Sequence, residues 1–175
     1  LNLKANTKFL YLTIIVLTLL FFDKNLVLED IVFSFYKKEL PLHEFSIFFS
    51  IFCFLVFINA FNMFDGINLQ SSSYSLFIFL NILFFYNSLF IKVLIIALLA
   101  FSYLNLKNKS FLGDSGSLLI AFIIGYFFIK LYNRELINHT DEVVIYMLVP
   151  GIDLVRLFFK RLFLKRKMHH KMLNS

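Results

Sequence analysis

The sequence predicts an all-α polytopic membrane protein of about six transmembrane helices, forming part of a larger multi-helix bundle. Three observations predict it. The composition is 60% hydrophobic, with 26 Phe and only 16% charged residues, too little polar surface for a soluble domain. Apolar stretches near or beyond spanning length recur from end to end. Polar motifs stand at the ends of these stretches, where carboxylates and carboxamides are expensive to keep without a task.

The segments are roughly 8–22, 45–62, 74–86, 89–106, 117–132 and 143–159. The second and fifth are the clearest. The third is short, and Tyr86-Asn87-Ser88 reads as a tight turn into the fourth. Gly113-Asp114-Ser115-Gly116-Ser117 opens the fifth, and Pro150-Gly151-Ile152-Asp153 is expected to interrupt or end the sixth. No internal repeat or low-complexity linker is visible. Gly66, Gly113 and Gly116, three of five glycines, cluster at the motifs and place irregular backbone there. The single cysteine, Cys53, lies in an apolar run and reads as packing. Residue 1 is Leu, and the opening residues carry no signal-peptide pattern, so the chain is expected to begin inside a larger protein.

Net charge is +6. The basic residues flank apolar spans and are densest near the C-terminus, which fits anionic lipid headgroups better than nucleic acid. With the N-terminus cytoplasmic, Lys4, Lys8, Lys107, Lys109, Arg156, Lys160, Arg161, Lys165, Arg166, Lys167 and Lys171 are inside, eleven of seventeen. Lys24, Lys37, Lys38, Lys92, Lys130 and Arg134 are outside. Eight of eleven acidic residues fall in outer loops, and only Asp65, Asp114 and Asp153 face the cytoplasm. Three loops thus bring carboxylates to one face, amid basic residues, as a divalent cation and a polyanionic substrate require. The bland alternative is that each caps a helix or pairs with a nearby base.

Asn59, Asn62 and Asp65 recur every three residues at the end of the second helix, which aligns them on one face, with Gly66 expected to end the helix. Such oxygen donors suit Mg²⁺, which combines a few carboxylates with phosphate oxygens and water. The two Asn equally suit hydrogen bonds to neighbouring helices. At the fifth helix Asp114 or Ser115 reads as a cap, while free N–H groups and two glycines let phosphate approach. The string resembles the surroundings of a trypsin-like serine nucleophile, but no His–Asp partners are placed to activate Ser115. Asp153 and Arg156 are three apart and suit either a salt bridge or a substrate contact. His169 and His170 are adjacent and cannot share one side of a helix as metal ligands. His43 and His139 fall in outer loops and receive no role.

Asn59-Ala60-Phe61-Asn62-Met63-Phe64-Asp65-Gly66, Phe111-Leu112-Gly113-Asp114-Ser115-Gly116-Ser117 and Pro150-Gly151-Ile152-Asp153-Leu154-Val155-Arg156, in that order, resemble the polyprenyl-phosphate N-acetylhexosamine-1-phosphate transferases, membrane glycosyltransferase family 4. The resemblance runs from about Leu3 to about Lys165, closest to the branch acting on GlcNAc. It implies transfer of a (N-acetyl)hexosamine 1-phosphate from a UDP-sugar to undecaprenyl phosphate, with UMP released, which initiates cell-envelope polysaccharides such as lipopolysaccharide O-antigen. It implies Mg²⁺, with Mn²⁺ as a substitute, and catalysis at the cytoplasmic face of a bacterial inner membrane. Asp65 and Asp114 are then catalytic; Asn62, Asp65 and Asp114 hold the metal; Asn59, Asn62, Ser115, Gly116, Ser117, Asp153 and Arg156 bind substrate. Expected partners are undecaprenyl phosphate, UDP-N-acetylhexosamine and membrane lipids, without nucleic acid, and a homodimer is kept open. Residues 1–175 are expected to form one domain, the C-terminal part of such a transferase, incomplete at its N-terminus.

Three positions depart from the family pattern. An Asp-Asp pair normally precedes a helix like 8–22, and Leu1 to Asn6 look like the residues just after it. Asp65-Gly66-Ile67-Asn68-Leu69-Gln70 carries Asn68 where the family has a second Asp. The C-terminal His-Leu-His-His is absent, and His169-His170 do not replace it. This polypeptide alone is therefore expected to be inactive. The rival readings are an inactive remnant of the family and a membrane transporter subunit. The latter calls for paired broken helices at mid-depth and an internal repeat.

Overall fold

The computed structural model describes residues 5–173, with side chains described from residue 7 to 163 apart from 37 and 162. Lys4 lies outside the described residues, as do the side chains of Lys37, Lys165, Arg166, Lys167, His169, His170 and Lys171. Six helices account for most of the described chain: α1 (Ala5–Phe22), α2 (Ser46–Phe64), α3 (Gln70–Phe85), α4 (Leu89–Leu106), α5 (Gly113–Asn133) and α6 (Thr140–Leu173). The protein is an all-α membrane protein. Three helical stretches, His43–Phe64, Leu89–Leu106 and Gly113–Asn133, are long and apolar enough to cross a membrane, and Thr7–Phe22 and Gln70–Phe85 are shorter apolar helices.

α2 and α5 form the centre. Phe54, Phe57, Ile58 and Phe61 of α2 are buried with Ala121, Ile124 and Phe128 of α5. Gly125 makes their approach close: a Cβ there would stand 3.1 Å from Phe54 Cε1. In the membrane such close packing is itself the main force between helices, because lipid is as apolar as the side chains. α1 leans on α2, α6 packs along α2, and the antiparallel pair α3–α4 rests on α5 through α3. α4 is exposed along Val93, Ile96 and Leu99, the pattern of a helix facing lipid.

At the far end from the sequence motifs stands an element that periodicity did not signal, a two-stranded antiparallel hairpin of β1 (Asp30–Phe33) and β2 (Tyr36–Pro41). Ile31 faces Leu40 and Phe33 faces Tyr36, with an irregularity between them. A two-stranded hairpin is marginal alone, and side chains pin this one to the helices. Tyr132 Oη of α5 accepts from Val32 N–H at 2.9 Å, and Asn133 Nδ2 donates to the carbonyls of Asn25 and Val27 at 2.6 and 2.9 Å. Asp141, in the first turn of α6, accepts from the Ser34 hydroxyl at 2.7 Å and the Ser34 N–H at 2.9 Å. These bonds, the hydroxyl's first, hold its carboxyl below the usual carboxylate range.

α6 corrects one expectation. Pro150 neither interrupts nor ends it, and the helix continues to Leu173. A proline inside a membrane helix persists when another group takes the carbonyl it frees. That carbonyl belongs to Tyr146, and it accepts a hydrogen bond from the Tyr74 hydroxyl of α3.

Candidate active site

The start of α1, the end of α2, the starts of α3 and α5 and the end of α4 meet at one end of the bundle, as their mutual side-chain contacts show. α2 stops at Asp65, which adopts φ −75° and ψ 71°. Its N–H bonds to Phe61 O at 3.2 Å, and the next N–H, of Gly66, bonds to Phe64 O at 2.9 Å. This is an inverse γ-turn. The helix thus ends directly before Gly66, as expected, and Asp65 makes the turn, which leaves its half-buried carboxylate at the helix end.

The left-handed residue comes later, at Leu69, with φ 66°. That conformation is uncommon for a bulky residue and needs outside support. Asn105, at the end of α4, supplies it: its Oδ1 accepts from Leu69 N–H at 2.6 Å, while its Nδ2 donates to Ser110 O at 2.7 Å. Asn68 donates to the Asn108 side chain across the same gap. The amide at position 68 thus supplies a donor that a carboxylate lacks. The two loops enclose a cleft of about 270 Å³ whose walls include Asp65, Asn68, Ser71, Phe101 and Phe111. The Ser71 hydroxyl is buried there without a hydrogen-bond partner among the described residues.

α5 begins at Gly113, whose φ of +63° is the left-handed conformation that glycine adopts without strain. The first turn then carries exposed Asp114 and Ser115, half-buried Gly116 and fully buried Ser117. Ser117 Oγ lies 2.5 Å from Asn62 Oδ1 and 3.1 Å from the Asp114 carbonyl, and its single proton goes to the nearer acceptor. One hydroxyl therefore fastens the α2 motif to the α5 motif, and it is turned inward. Asn59, one turn deeper, donates to Leu55 O of its own helix at 2.7 Å. The Asp114 carboxylate is paired with Lys8 of α1. Spacing gave Lys8 only an orienting role, because its partner is far along the chain. The available signal was a lysine at the very start of an apolar segment. Asp153 and Arg156 pair with each other on α6, Arg156 Nη2 to Asp153 Oδ1 at 2.6 Å. Among the described residues no hydrogen bond joins them to Asp65 or Asp114.

A family model described as glycosyl transferase family 4 matches residues 1–132, three quarters of the sequence. The chain belongs to glycosyl transferase family 4. The match takes in the α2 and α5 motifs and stops short of Asp153 and Arg156. The undecaprenyl-phosphate alpha-N-acetylglucosaminyl 1-phosphate transferase of Escherichia coli O157:H7 is 27% identical over 151 residues, covering 79% of this chain and 41% of that protein. The chain thus spans less than half the length of that curated relative. No solved structure matches it.

In this family 4 chain the motif end offers hard oxygen donors: the Asp65 and Asp114 carboxylates and the Asn62 carboxamide. Among the described residues no three His, Cys, Asp or Glu side chains gather as a metal cage. Mg²⁺ does not need one, since it binds one or two carboxylates together with substrate phosphates and water. Carboxylate and carboxamide oxygens are the donor chemistry that Mg²⁺ takes.

Proposed function

We propose that this chain carries the site of a Mg²⁺-dependent transfer of N-acetylhexosamine 1-phosphate from a UDP-sugar to undecaprenyl phosphate. UMP is released at the cytoplasmic face of a bacterial inner membrane, and the product starts a cell-envelope polysaccharide. The observation that supports this reading is that the segments bearing Asp65 and Asp114, forty-nine positions apart, are joined at one bundle end by the hydrogen bond from Ser117 to Asn62. Family membership and the similarity to the Escherichia coli O157:H7 transferase support the choice of lipid and sugar nucleotide.

Attack of one phosphate on another brings two anions together. A bound Mg²⁺ supplies charge neutralisation of the diphosphate and of the leaving UMP. Asp65, Asp114 and Asn62 would hold it. Lys8 adds a fixed positive charge beside Asp114. The first turn of α5 has N–H groups without intrahelical acceptors, which at Ser115 and Gly116 suit phosphate oxygens. Phe111 and the free Ser71 hydroxyl give the cleft an apolar wall and a polar contact, as a nucleobase requires. Ser117 and Asn59 serve this site by holding helices, Asp153 and Arg156 by contacting the sugar nucleotide. A transport site is the weaker reading, because the irregular backbone from Asp65 to Leu69 stands at the bundle end and not at mid-depth.

The test is UMP release from UDP-GlcNAc, with undecaprenyl phosphate and Mg²⁺, by membranes carrying the protein. Wild-type protein releases UMP and Asp114→Ala does not. Equal release by both rejects the site.

A further inference from the structure

The Tyr74 hydroxyl stands where a helix lacks a donor. An α-helical N–H bonds to the carbonyl four residues earlier, so Pro150 withdraws the donor due to Tyr146. Tyr74 of α3 donates to that Tyr146 carbonyl. The Tyr74 ring is fixed from the other side, 6.4 Å from the Phe61 ring and 5.5 Å from the Phe64 ring of α2. Phe64 is the last residue of α2, next to Asp65. Three residues beyond Pro150 comes Asp153, paired with Arg156. Tyr146 is held a second time, its own hydroxyl donating to Asn81 Oδ1 at 3.3 Å and its ring 5.3 Å from that of Phe128. One side chain therefore touches both the end of α2 and the proline step of α6.

We propose that Tyr74 is a positioning residue: its hydroxyl replaces the N–H that Pro150 lacks and thereby ties the course of α6 beyond the proline to the end of α2. Proline steps are where helices bend, and a freed carbonyl leaves the bend free to vary. With the carbonyl occupied from α3, the segment bearing Asp153 and Arg156 keeps one direction relative to Asp65. That these two segments serve one substrate is part of the functional reading above. The tie itself is measured without substrate, so failure of either leaves the other standing.

The experiment is a double-mutant cycle on the full chain in nanodiscs, in a Cys53→Ser background. Spin labels are placed at exposed positions through Ile67→Cys and Lys160→Cys, and the distance distribution between them is measured by pulsed electron resonance. Tyr74→Phe keeps the ring and removes the hydroxyl, and the distribution broadens. Pro150→Ala restores an N–H to the Tyr146 carbonyl, so in that background Tyr74→Phe leaves the distribution narrow. An unchanged distribution in Tyr74→Phe overturns the assignment, as does a double variant no narrower than Tyr74→Phe alone. Should Tyr74→Phe fail to fold, the Pro150→Ala background decides: there the same substitution must fold, and its failure to do so also overturns the assignment.

Discussion

The two ends of the bundle carry similar residues and use them oppositely. At the hairpin end Asp141 is consumed by Ser34, Tyr132 by the Val32 N–H, and Asn133 by two carbonyls. Every one of these bonds closes a loop onto a helix. At the motif end the amides and Ser117 do the same holding work, but the Asp65 carboxylate is spared from it. Asp65 makes no side-chain hydrogen bond among the described residues, and Asp114 meets a lysine from another helix. A fold spends its polar groups on closing backbone where it can, because an unmet group costs about 1–3 kcal/mol. Asp65, left over beside the cleft on a frame of satisfied amides, is therefore free to take a ligand.

The sharpest way to break this contrast is Asp114→Ala. Under the proposed function, transfer should fall roughly 10²–10³-fold or more, whereas stability should change by only about 0–1 kcal/mol, as for an exposed ion pair. Thermal unfolding in detergent beside the UMP assay separates the two. Ser117→Ala should do the reverse at first. It removes a buried donor from Asn62 Oδ1 and should destabilise the protein by about 1–3 kcal/mol, with activity falling as the two motifs separate. A stable Ser117→Ala protein would show that the motifs do not need this fastening.

The hairpin end should answer to pH. The carboxyl of Asp141 is depressed in the folded chain, so its contribution to stability is fully present above the unfolded-state value and is lost as pH falls through the folded one. Acidification below pH ~4 should loosen the Asp141–Ser34 tie while the Tyr132 and Asn133 bonds remain, read as faster protease nicking between β1 and β2, and Ser34→Ala should weaken that acid dependence. The smallest effect is expected at Asn68→Asp. The residue sits exposed on a loop, so stability should move within about 0.5 kcal/mol. If the loss of the donor to Asn108 matters, KM for the sugar nucleotide will rise while kcat holds.

Much of this was written in local sequence. Five helices fall within a few residues of their apolar segments, since hydrophobic length alone defines a lipid-facing helix, while α6 runs on to Leu173, fourteen residues beyond its segment. The glycines at 113 and 116 mark the α5 turn. The hairpin was not legible: β1 is four residues long, and β2 reads Tyr-Lys-Lys-Glu-Leu-Pro without alternation. Gly66 marked the end of α2, though the inverse γ-turn that makes it lies at Asp65. Pro150 misled because the group that rescues its carbonyl lies on another helix. The pairings Lys8–Asp114 and Ser117–Asn62 join positions 106 and 55 apart, and spacing carries no trace of such long-range meetings.

Under the proposed function Asp65 and Asp114 together hold a divalent cation with a diphosphate. Mn²⁺ titration followed by electron paramagnetic resonance, with and without UDP-GlcNAc, tests it directly on wild type, Asp65→Asn and Asp114→Asn. Mn²⁺ binding that the sugar nucleotide strengthens in wild type, and that either substitution abolishes, is the predicted result. Binding that is unchanged in both variants would contradict the account.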